Sequence, residues 1–158
     1  MAHVTPDGIE DALEAIGVAY SRQGPRLWRV DVPAVDRRSV TVGIAADERT
    51  LNLTAFVLRA PDRNAEQVYR RMLNKNLDLA ATGQWRFALD EHDDVYLVAR
   101  IDLAQATEPG LDRLLGALSA LVDATWIGLM RLGFAVPDPP VDPAGGSTGG
   151  SGRERRPS

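Results

Sequence analysis

Cysteine is missing from this chain, and histidine occurs only as His3 and His92. Without a thiol there is no disulfide, no thiolate nucleophile and no zinc–thiolate site. Two imidazoles leave little for acid–base chemistry. The N-terminus lacks the basic-then-apolar leader of a secretory signal. The longest uncharged apolar run, Leu114 to Val122, stops at Asp123, far short of the roughly 20 residues of a bilayer span. A net charge of −4 provides no overall attraction to nucleic acid or to an anionic membrane. No phosphate-cradling glycine loop and no spaced His–carboxylate pair occurs; Glu108 and Asp112 read as ordinary acids at the start of a helix. The expectation is a soluble cytoplasmic protein that is not an enzyme, with no catalytic, cofactor-binding or metal-binding residues, no cofactor, no nucleic-acid partner and no membrane partner.

What the 158 residues do contain is a clear alternation of helix and strand periods. Thr5 can cap a helix opened by Pro6 and Asp7, and Ile9, Leu13, Ile16 and Tyr20 extend it over residues 6–20. Gly24-Pro25 breaks the chain, and three strands follow at 27–32, 39–45 and 50–58, joined closely enough for an antiparallel meander. A second helix spans 65–79, with Val68, Tyr69, Met72, Leu73 and Leu79 on its apolar side. A hairpin of strands 85–90 and 95–103 turns through Glu91-His92-Asp93-Asp94. The last helix runs from 108 to 132, capped by Thr107 and stopped by Gly133 with Phe134 folding back. These elements predict one α+β domain over residues 5–135, ordered α-β-β-β-α-β-β-α, with an antiparallel five-stranded sheet packed with helices. Residues 136–158, rich in Pro, Gly and Ser and nearly devoid of apolar side chains, are expected to form a disordered tail.

The order of elements resembles the type III secretion chaperone-like fold. Six short patterns sharpen the resemblance. They are Glu66-x-Val68-Tyr69-Arg70, Leu73-x-x-Asn76-Leu77, Phe87-Ala88-Leu89-Asp90, Asp94-Val95-Tyr96-Leu97-Val98-x-Arg100, Leu111-Asp112-x-Leu114-Leu115-Gly116 and Leu132-Gly133-Phe134. Jointly they are similar to the YbjN family, and most similar to its actinobacterial members, well over residues 64–134 and by pattern alone over 8–60. Two positions depart from the family: Arg71 stands where an aromatic is usual, and Asp93 where the hairpin turn usually has glycine. The resemblance implies a regulator of the sensory-transduction type with no assigned enzyme activity. The related secretion chaperones are homodimers that hold extended client segments on sheet and helix surfaces.

Three features exceed what a lone domain needs. Asn76 falls near the centre of the apolar side of the second helix, where an amide must find hydrogen bonds. The bland reading gives it backbone groups at a strand end or loop; the functional one makes it an anchor for a bound peptide. The last helix carries apolar residues around about half its circumference, more than the roughly 100° stripe of one core contact. Leu111, Leu118, Val122, Trp126, Ile127 and Met130 are therefore candidates for a partner or homodimer surface, against the alternative that the helix is simply buried widely. Arg63, Arg70, Arg71 and Lys75 form a weak basic strip, read first as a solubilising face and second as a contact for an acidic client segment. The acidic turn 90–94 lacks calcium-loop spacing and reads as a solvated hairpin tip. The functional expectation is a protein- or peptide-binding module, the alternative a dimeric regulator controlled by a small ligand between sheet and helices.

Overall fold

A computed structural model describes residues 5–34 and 39–134. The tail expected over 136–158 lies outside the described residues. The elements run α1 (Pro6–Ile16), β1 (Ala19–Gly24), β2 (Leu27–Val32), β3 (Val40–Ala46), β4 (Thr50–Leu58), α2 (Ala65–Thr82), β5 (Arg86–Leu89), β6 (Val95–Asp102), a short 3-10 turn (Leu103–Gln105) and α3 (Glu108–Gly133). All neighbouring strands pair antiparallel in the order β1-β2-β3-β4-β6-β5.

The sheet has six strands, not the five expected. The helical spacing of Ile16 and Tyr20 carried the first helix too far. Gly17 ends it, at φ +84°, with its N–H donating to the carbonyls of Leu13 and Glu14, both at 3.1 Å. Glycine occupies that left-handed conformation without a Cβ penalty. The chain then reverses into β1, which pairs with β2 across the Pro25-Arg26 turn. Tyr20 is therefore a strand residue; its hydroxyl donates to Glu14 Oε1 at 2.7 Å and ties β1 to α1.

Register separates the two faces of the sheet. Trp28, Ile44, Leu53 and Ala99 stand side by side and are buried, as alternation along each strand demands. The next row, Arg29, Gly43, Thr54, Val98 and Arg86, faces outward. The helices lie on the inner face, where α3 touches α1, α2 and β4 and joins their apolar side chains in one core. Burying a residue such as Leu118 in this core contributes about 2 kcal/mol relative to leaving it in water.

Gly133 does not stop α3 by a left-handed turn. It is the last helical residue, and a Cβ there would lie 3.1 Å from Pro61 Cβ and 3.3 Å from Val68 Cγ2. Glycine is needed for close packing against the start of α2. The carbonyls at the end of α3 are satisfied by the segment before α2. Arg63 N donates to Gly133 O at 3.1 Å, Asn64 Nδ2 to Leu132 O at 2.9 Å, and Arg63 Nη2 to Phe134 O at 2.9 Å. Arg59 grips Asp62 through two bonds of 2.7 and 2.8 Å and lies 4.6 Å over the Phe134 ring, holding the Asp62 carboxyl below its usual range.

Candidate protein-binding surfaces

Of the six residues singled out on the last helix, Leu111, Leu118 and Val122 are 0% exposed inside the single chain. A partner cannot reach them while the fold is intact, which corrects their reading as a docking surface. Trp126 and Met130 are half-buried against the core, and only Ile127, 38% exposed, faces water. The helix is long and apolar enough by composition to cross a membrane, with a mean hydropathy of 1.3 in its most apolar window. In this fold most of its leucines are buried against α1, α2 and the sheet, while the rest of that apolar window is at most partly covered.

The second helix shows the reverse. Leu73, expected on its apolar side, is 68% exposed, and Leu77 is 77% exposed. Val68 and Met72 form the true buried line, and Leu73 and Leu77 diverge from it by about 100° or more on the helix wheel. On the wheel they lie beyond Asn76, on its side away from the core line. Leu89, 41% exposed, ends the edge strand β5. The sequence held a signal for this pair, since Glu66, Arg70, Leu73 and Leu77 repeat at helical spacing apart from the core line.

Asn76 is committed to that strand. Its Nδ2 donates to Phe87 O at 3.1 Å, and its Oδ1 accepts from Phe87 N at 2.7 Å. The amide thus meets both outward backbone groups of one residue of an edge strand, leaving fewer groups open there.

The basic strip divides. Arg63 caps the end of α3, and Arg70 lies 3.5 Å from Glu66 one turn away. Arg71 and Lys75 instead line a cleft of about 340 Å³ between α2 and α3, floored by Met72, Phe87 and Leu129. In the acidic turn, Asp90 Oδ1 accepts from the amides of His92 and Asp94, while Asp94 Oδ1 accepts from Ala60 N at 2.8 Å. Asp93 occupies the left-handed region at φ +63°, a conformation Asp tolerates better than most residues. These carboxylates shape the hairpin tip.

Among the described residues no helix covers the outer sheet face. Phe56 and Tyr96 meet there edge to face at 5.6 Å, with Leu27 exposed farther along; burial holds the Tyr96 hydroxyl above its usual pKa. The face sets these apolar side chains among polar ones such as Arg29, Thr54 and Arg86, and the described residues hold no metal-ligating cluster.

The sequence profile of the Tir chaperone protein (CesT) family matches residues 30–125, from β2 into α3. The chain belongs to the CesT family. An uncharacterized protein of Mycobacterium leprae is 34% identical over 131 residues, covering 80% of this chain and 70% of the relative. An uncharacterized protein of Mycobacterium tuberculosis is 31% identical over the same extent. Among solved structures, the Yersinia pestis type III secretion chaperone SycH, in complex with a stable fragment of YscM2, matches with a TM-score of 0.52 at 20% identity. The match covers 75% of this chain and 96% of that one. The ExoU–SpcU complex of the Pseudomonas aeruginosa type III secretion system matches with a TM-score of 0.57 at 15% identity, over 77% of this chain and 96% of the matched one. These similarities place the CesT-family chain in the type III secretion chaperone fold.

Proposed function

We propose that the protein is a non-enzymatic binding module that works as a homodimer and holds an extended segment of a client protein. The observation that carries this reading is where apolar surface remains once the core is closed. Among the described residues, and apart from Ile127, the exposed large apolar residues fall into two groups: Leu73, Leu77 and Leu89 along α2 and the β5 edge, and Leu27 and Phe56 on the outer sheet face. The first group suits a two-fold pairing in which each copy covers the other's edge. The second suits an extended client lying on the sheet. Membership of a chaperone family, and a structure of the same fold in complex with a stable fragment of another protein, support the client reading. The resemblance to YbjN proteins adds a regulatory setting.

A small ligand held between sheet and helices is the weaker reading, because no polar side chain is buried among the described residues. Light scattering on the full chain at tens of micromolar is expected to return the mass of two chains. The double variant Leu73→Asp/Leu77→Asp should return one chain with unchanged circular dichroism. A wild-type mass of one chain would refute the dimer. Client capture from native lysate should survive that double variant in part and be lost in Phe56→Asp; capture indifferent to Phe56→Asp would refute the sheet-face site.

A further inference from the structure

The α2–α3 cleft is used by neither surface of the proposed function. Its cationic rim is unusual: Arg71 and Lys75 lie one turn apart, a like-charge spacing that disfavours a helix. Neither has an ion-pair partner among the described residues; Asp78, at the cleft's far end, pairs with neither. The facing wall is also poor by helix standards. Gly128 sits inside α3, where glycine weakens a helix, and a Cβ built there would stand 3.5 Å from Arg71 Nη1. A larger residue would fill the cleft beside that guanidinium. The result is an open trough with an apolar floor and two unspent positive charges, suited to an acidic segment carrying an aliphatic side chain.

The chain supplies such a segment itself. After Phe134 it reads Ala135-Val136-Pro137-Asp138-Pro139-Pro140-Val141-Asp142-Pro143, with two carboxylates and no positive charge before Arg153. The cleft is close to its point of departure. α3 and α2 run antiparallel here, since Arg63 bonds Phe134 O while Arg71 lies beside Gly128. Gly128 is six residues before Phe134, roughly 9 Å along the helix. Eight proline-rich residues in extended form reach about 25 Å, enough to turn back and pass Arg71 and then Lys75. Four prolines also reduce the conformational freedom lost on docking.

We propose that the α2–α3 cleft is the docking site of the chain's own residues 137–143, with Asp138 and Asp142 against Arg71 and Lys75 and Val141 over the apolar floor. The absence of cysteine makes the test direct: a full-length Ala144→Cys variant takes a nitroxide label at one place. Amides of residues 71–78 and 124–128 should lose most of their NMR intensity when the label is oxidised and recover it when reduced. The loss should fade in molar NaCl and vanish in Asp138→Lys/Asp142→Lys and in Arg71→Glu/Lys75→Glu. Combining the two pairs should restore it. Broadening absent from the cleft, or spread evenly over the surface, would overturn the proposal, as would failure of the combined variant to restore it. A mixture of labelled unenriched chains with unlabelled ¹⁵N chains separates the remaining case. Cleft broadening of comparable strength there would mean docking onto a second copy and would also overturn the proposal.

Discussion

Helices α2 and α3 are both amphipathic, yet they dispose of their apolar residues in opposite ways. α3 buries seven of its leucines and valines, together with Gly133, because other elements pack on it from several directions. α2 buries only Val68 and Met72 and leaves Leu73 and Leu77 in water, because it lies over the edge of the sheet, against β5 and α3. Position in the fold decides how wide a stripe is covered, and the stripe's breadth on the wheel does not. An over-wide apolar helix at the centre is core; a narrower one at the rim is a surface for something else.

This contrast can be broken most strongly at its centre. Leu118→Ala should destabilise the protein by about 2–5 kcal/mol, read from urea midpoints, since it opens a cavity at a fully buried position of the core. A loss below 1 kcal/mol would contradict the central position of α3. Next, Asn76→Ala leaves Phe87 N–H and C=O without their partner and should cost about 1–3 kcal/mol. Faster hydrogen exchange at the Phe87 amide would locate that loss at the β5 edge; unchanged exchange would detach α2 from the strand. A smaller, pH-dependent effect belongs to Asp62, where the start of α2 meets the end of α3. Its carboxyl is held low by Arg59, so its contribution is present above the ordinary carboxylate pKa of about 4 and is lost as pH falls through the lowered value. The stability gap between wild type and Asp62→Asn should therefore be constant at neutral pH and close in acid. The smallest effect is expected at Leu77→Gln, within about 0.5 kcal/mol for dilute chains, where mass action no longer favours a dimer. A large loss there would mean that Leu77 is core after all.

Much of the architecture was legible because it rests on local period and punctuation. Thr5 and Thr107 cap their helices as expected, each accepting from the amide three residues on. β4 occupies the predicted span, and Asp93 takes the turn conformation for which glycine is usual. What failed did so where two local signals competed. Gly17 outweighed the helical spacing that continues to Tyr20, because a left-handed residue ends a helix whatever follows. Gly133 looked like a stop and is a packing contact, since no sequence signal announces that Pro61 and Val68 stand 3.1 and 3.3 Å away. For the candidate surfaces, Asn76 was visible as an anomaly, whereas its partner Phe87 was not. Leu111, Leu118 and Val122 read as surplus only until their neighbours were in place.

The sequence by itself determined the kinds of element, their order and the absence of thiol chemistry, because these follow from side-chain period, capping residues and composition. Only the tertiary structure decided which apolar faces remain open. It added the sixth strand, spread α3 beneath the sheet, placed α2 at the rim and divided the basic strip among a helix cap, a surface pair and a cleft. Burial depends on what arrives from elsewhere in the chain, and a wheel drawn from one helix holds no information about that neighbour.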